Sequence, residues 1–163
     1  MNELFAAILA LLLQHPAMPA GMSHQEHLRQ LQKDAELKKR GALSMGFDQD
    51  KTTHHFRTSA TGGSIEVAVN DAADDVSRAA VRSHLHEIAR AFAAGDFKKP
   101  FETHAEVPPG VPEMQRLKGA IRYQYVETPR GGLVRISTRD PAALAAVRAF
   151  LEYQAKEHGH GRV

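Results

Sequence analysis

One pattern occurs twice in this chain, and it limits the fold more than any other feature. Residues 52–58 alternate as a strand does, with His54 and Phe56 on one face and His55 and Arg57 on the other. Thr61-Gly62-Gly63 reads as a hairpin turn. Ile65, Val67 and Val69 then share one side of a second strand. A helix is expected over about residues 73–94, with Val81, Leu85, Ile88 and Phe92 as its buried stripe and Gly95-Asp96 as its end. The second copy runs from Ile121, Tyr123 and Tyr125 through the turn Pro129-Arg130-Gly131-Gly132 to Val134, Ile136 and Thr138. Asp140-Pro141 reads as N-cap and first residue of its helix, whose stripe is Leu144, Val147, Leu151 and Gln154, reaching His158. Ala80-Val81-Arg82 answers Ala146-Val147-Arg148, and Leu85 answers Leu151.

A duplicated ββα unit implies an α+β fold: a four-stranded antiparallel sheet with two helices on one face. The other face is left open. The proline-rich connection, the N-terminal arm or a second subunit in a homodimer is expected to cover it.

The duplicated domain occupies residues 46–163: 46–96 for the first copy, 97–118 for a connection containing Pro100, Pro108, Pro109 and Pro112, and 119–163 for the second copy. Such a long connection is usually functional or a cover. Residues 21–45 read as a helical arm. Ser23 and Glu26 make a capping box, Leu28, Leu31 and Ala35 a thin stripe, and Gly41 a stop. Residues 4–13 are almost wholly apolar, too short for a comfortable membrane span and suited to a secretory signal within residues 1–20. Export to the periplasm or cell envelope is therefore expected. If the segment is an ordinary apolar helix instead, the protein is cytoplasmic, and an uncleaved segment is its only expected membrane contact.

Cysteine is absent, which removes disulfides, thiolate nucleophiles and thiolate metal ligands. Acidic and basic residues nearly balance, and no basic stripe with interleaved aromatics occurs, so no nucleic-acid partner is expected. No Gly-x-Ser-x-Gly elbow is present. The paired glycines lie between strands and are not phosphate cradles.

What remains is histidine, ten of them. His54 occupies the core-facing position that Tyr123 takes in the second copy. A buried ring nitrogen without a partner costs about 1–3 kcal/mol, so His54 is either a core histidine bonded to a main-chain carbonyl or a metal ligand. If a two-fold axis normal to the sheet relates the copies, the end of the second helix lies near the start of the first strand. That brings His158 toward His54. His104 and Met114 lie in the connection, where ten residues span on the order of 30 Å. Imidazoles with a thioether favour copper; imidazoles alone, or with Glu102 or Glu106, suit zinc or nickel. His84 stands where the second copy has Phe150. His86 points to solvent, and His24 and His27 share one helix face near a chain end.

The run Met45-Gly-Phe-Asp-Gln-Asp-Lys-Thr-Thr-His-His-Phe56 resembles a family of bacterial proteins of uncharacterised function, many with an apparent export signal. Ala94-Gly-Asp-Phe97, Pro108-Pro-Gly-Val-Pro-Glu-Met-Gln-Arg116 and Gly131-Gly-Leu-Val-Arg-Ile136 are also similar, so the resemblance covers nearly all of residues 21–158. It implies histidine at positions 54, 84, 104 and 158. Some relatives carry the label aspartate carbamoyltransferase, and Ser137-Thr138-Arg139 is similar to that enzyme's Ser-Thr-Arg-Thr phosphate loop. Here Asp140 replaces the last threonine and would repel carbamoyl phosphate, and the chain is far too short for that enzyme's two α/β domains.

The leading expectation is thus a non-enzymatic protein that binds a copper or zinc ion through His54, His104, Met114 and His158, for sequestration or delivery. The rival is an interaction module that docks a partner or a second copy through the open sheet face, with structural histidines. A hydrolase or lyase with His54 as general base is a third class, without an identified nucleophile.

Overall fold

The structure, a computed structural model, describes residues 21–158. The apolar segment expected to direct export, and His160, lie outside the described residues. The chain divides into two units, residues 1–36 and 37–163.

Helix α1 (His24–Met45) begins within the first unit, on the expected capping box, and ends within the second. The Ser23 backbone N–H donates to the Glu26 carboxylate at 2.9 Å, and the Glu26 N–H donates back to Ser23 Oγ at 3.3 Å. Leu28 is exposed, in keeping with a thin apolar stripe. Gly41, expected as a stop, lies inside the helix, which runs on to Met45. Gly41 is buried, and a Cβ there would stand 1.8 Å from Gln49 Nε2. The glycine answers a close approach, not a helix end.

The second unit holds the sheet. Its strands β1 (Thr52–Ser59), β2 (Gly62–Val69), β3 (Ile121–Thr128) and β4 (Gly131–Thr138) form one antiparallel sheet in the order β1-β2-β4-β3. Ser59 pairs with Gly62 and Thr128 with Gly131, so the turns are Ala60-Thr61 and Pro129-Arg130. The paired glycines, expected in the turns, sit in the strands that follow. Helix α2 (Asp75–Ala94) starts on Asp74, whose side chain accepts from the Ser77 N–H, and ends on Gly95 at φ 81°. The connection holds two short helices, α3 (Lys98–His104) and α4 (Val111–Arg116). Helix α5 (Pro141–Glu157) starts on Asp140 with Pro141 first, as expected.

The repeats exchange helices. Helix α2 of the first copy lies chiefly over β3 and β4 of the second, and α5 of the second lies chiefly over β1 and β2 of the first. Equivalent arginines fasten the exchange. Arg82 of α2 donates to the carbonyls of Gly131 and Thr128, and Arg148 of α5 donates to that of Ser59. Equivalent leucines close it: a Cβ on Gly63 would meet Leu151 at 2.4 Å, and one on Gly132 would meet Leu85 at 3.2 Å. Hydrogen in place of a side chain lets each helix settle onto the opposite hairpin.

The core between helices and sheet contains Phe56, Val67, Val134 and Ile136 from the strands, Val81, Leu85 and Phe92 from α2, and Val147, Phe150 and Leu151 from α5. The opposite face carries the exposed Arg57, Arg122, Gln124 and Arg135. The connection does not cover that face. Its helix α4 packs on α5, and α3 closes the helical side of the core with buried Pro100, Thr103 and His104. Among the described residues, no helix is long and apolar enough to cross a membrane.

Candidate functional site

Between β1, β2, α2, α3 and α5 lies a cavity of about 60 Å³. A water needs roughly 10–15 Å³ measured this way, so the space holds a few small groups. Its walls are largely apolar: Phe56, Ile65, Val67, Leu85, Ile88 and Phe150. Into that apolar lining come four imidazoles, those of His54, His84, His104 and His158, together with Gln154, Thr103 and Lys99.

Each histidine arrives for a reason legible in its element. His54 is the third residue of β1, on the face that alternation turns inward, and is 4% exposed. His158 is the C-cap of α5, delivered to β1 because α5 lies over the first hairpin. Its ring centre is 5.5 Å from that of His54 and 5.2 Å from that of His104. His104 ends α3, buried under the closing turn. His84 is on the inner edge of α2 and packs edge-on against Phe47 at 5.6 Å, the same ring that His54 meets at 6.0 Å.

The His54 and His158 rings stack with their planes 15° apart, while the His104 ring meets that of His158 edge-on. Two imidazoles bound at about 2.0–2.1 Å to one tetrahedral metal hold their ring centres roughly 5 Å apart. As the rings stand, no group of three His, Asp or Glu donors converges to hold an ion among the described residues. Convergence requires turning rings about χ2, a broad torsion for histidine.

One of these rings has a side-chain hydrogen-bond partner. His104 Nε2 stands 3.0 Å from Gln154 Oε1. An amide oxygen only accepts, so Nε2 carries the proton and Nδ1 keeps a bare lone pair. That Nδ1 is buried with no hydrogen-bond partner, as is Nδ1 of His84. Burial lowers the pKa of both rings. For His84, burial, then the charges of Lys99 and His54, push it down to about 4. For His104, burial outweighs the raising effects of Gln154, Glu157 and Glu106. Both are therefore neutral near pH 7, the state that binds metals. The Lys99 ammonium donates to the Ser44 carbonyl at 2.9 Å and lies 3.5 Å from Glu87.

The expected ligand set is thus brought together in part. His54, His104 and His158 share the cavity. Met114 does not line it. On α4, which packs on α5, it is fully buried in the apolar core. Glu102 and Glu106 are exposed, and Glu106 accepts from the Tyr153 hydroxyl at 2.5 Å. His86 is exposed, as expected. Two members of the site were not expected as such. In the sequence, Gln154 shows only as part of a helix stripe. His84 carried a visible signal, a polar ring replacing Phe150 of the other repeat.

Comparison with protein-family models, with curated proteins and with solved structures finds no match for this chain.

Proposed function

We propose that this protein binds a transition-metal ion through His54, His104 and His158 and serves to sequester or deliver it. One observation carries the reading: imidazoles from β1, α3 and the end of α5, distant in sequence, line a single small cavity. The His158 ring lies 5.5 Å from that of His54 and 5.2 Å from that of His104, close enough for rotation about χ2 to turn their nitrogens toward one another. With Met114 outside the site, the donors are nitrogen alone. Such a set suits Cu(II) or Zn(II), and Cu(II) binds tighter at equal geometry. The apolar walls favour retention of the ion over exchange with water. The apolar segment at residues 4–13 supports placing this role in the cell envelope.

Metal analysis of untagged protein, followed by titration with Cu(II) and Zn(II), tests the proposal. One ion per chain, lost in His54→Ala and in His104→Ala, is the expected result. No stoichiometric ion, together with a concentration-dependent sedimentation coefficient, would favour the rival reading, a module that docks a second copy through its open sheet face.

A further inference from the structure

We infer that the open face of the sheet carries an anion site, a groove in which Arg122 and Arg139 hold the phosphate group of a small phosphorylated molecule. The groove lies on the other side of the sheet from the histidine cavity and does not depend on the metal-binding reading. Its place follows from the strand register. Val134 and Ile136 of β4 are buried in the core, so alternation turns Arg135 and Ser137 to the open face. Ser137 stands opposite Arg122 of β3 on one side and opposite Gly62 of β2 on the other. Gly62 has no side chain to fill that place, and Arg139 follows just past the end of β4. The result is an open groove of about 580 Å³ lined by Thr61, Ala120, Arg122, Ser137, Thr138 and Arg139, room for a small molecule.

Positive charge in this groove has no internal answer. Its lining contains no carboxylate. Among the described residues, neither guanidinium has a hydrogen-bond or ion-pair partner, and neither has the hydroxyl of Thr61 or of Ser137. Other arginines against the sheet are matched: Arg57 with Glu66 at 2.7 Å and Arg82 with Glu127 at 3.0 Å. Asp140, next in sequence to Arg139, is taken up by α5. Its side chain accepts from the Ala143 N–H at 2.9 Å, and it does not line the groove. Two cations that share a groove repel, and an anion between them reverses the sign of that interaction. A guanidinium presents a planar fork of donors that fits phosphate in a bidentate manner. Two forks of two donors each, with two hydroxyls, outnumber the roughly four acceptor sites of a carboxylate. A phosphate group supplies the further oxygens.

Metal-free protein at physiological salt, with a chelator present, is titrated with pyrophosphate and followed by nitrogen-15 spectra of its amides and guanidinium groups. Binding should saturate, with shifts centred on Thr61, Arg122, Ser137 and Arg139. Affinity should fall about 10–100-fold in Arg122→Ala and in Arg139→Ala, as expected for losing a hydrogen bond to a charged group. It should fall in Arg122→Lys as well, which keeps the charge and loses the fork. Both arginines are exposed, so these variants should melt with the wild type. Arg57→Ala removes a cation of the same face that is already paired, and it should bind pyrophosphate normally. Citrate, of similar charge but built of carboxylates, should bind more weakly. Absence of saturable binding would overturn the inference. So would an equal loss in Arg57→Ala or equal affinity for citrate, either of which would mean a diffuse field in place of a built site. His54→Ala should bind pyrophosphate as the wild type does, so that failure of the metal-binding reading and failure of this one are read separately.

Discussion

The ring of His158, one residue past the last helix, lies 5.5 Å from the ring of His54 near the start of the first strand, and the two planes differ by only 15°. The exchange of helices between repeats causes this proximity. An α5 packed on its own hairpin would end beside β3, where the equivalent inward residue is Tyr123. Crossing to the first hairpin, it ends beside an imidazole.

The two histidines should therefore respond differently to truncation. His158 is half-buried at a helix end but stacks on the His54 ring, and His158→Ala should cost about 0.5–1.5 kcal/mol. His54 is buried in the sheet, and His54→Ala should cost about 1–3 kcal/mol. Both should weaken Cu(II) and Zn(II) binding. Urea denaturation beside calorimetric titration separates the effects.

Acid should destabilise the protein through His84. Its folded pKa is about 4, below the ordinary 6.5. Under mildly acid conditions the unfolded chain takes up a proton that the folded chain refuses. Stability conferred by the neutral ring is complete above about pH 6.5 and is lost progressively as pH falls toward 4. The shift corresponds to about 3 kcal/mol. In His84→Phe, urea midpoints measured from pH 7 to pH 4 should fall less steeply than in the wild type. Equal slopes would show that this ring does not govern the acid limb.

Alternation and duplication are enough to read the strands, the helix of each repeat and the inward placement of His54, because each depends on local periodicity. The approach of His158 to His54 also followed, since two-fold symmetry between the repeats fixes where α5 ends. Three features were not legible. Gly41 looked like a helix stop because its packing partner, Gln49, is set by tertiary structure. Met114 looked available because a proline-rich connection gives no period from which to tell its inner side. Gln154 looked like a stripe residue because only the arrival of α3 gives its amide an imidazole to hold.

That amide should act on His104 through a single bond. Gln154→Leu preserves side-chain volume but leaves His104 Nε2 without its acceptor, at a cost of about 1–3 kcal/mol. It should also release the tautomer. In the wild-type apo chain, nitrogen-15 spectra should show His104 protonated at Nε2 alone. In the variant they should show a mixture, and Zn(II) affinity should drop 10–100-fold. An unchanged tautomer in the variant would mean that something other than Gln154 holds it.

The glycine pairs should prove unequal despite their symmetry. A methyl group at Gly63 would press on the Arg57 carbonyl oxygen at 2.2 Å as well as on Leu151, and a strand carbonyl cannot yield without breaking the hairpin. At Gly132 the neighbours are the Tyr125 ring at 2.8 Å and Leu85 at 3.2 Å, both side chains able to shift. Gly63→Ala should therefore cost at least the 1–3 kcal/mol of an overpacked core, and Gly132→Ala measurably less. Gly63→Ala should also lift α5 from β2 and carry His158 with it, weakening Zn(II) binding although residue 63 donates nothing to the ion. A Gly63→Ala protein with lowered stability and wild-type Zn(II) affinity would show that the position of α5 over the first hairpin does not set the geometry of the histidine cluster.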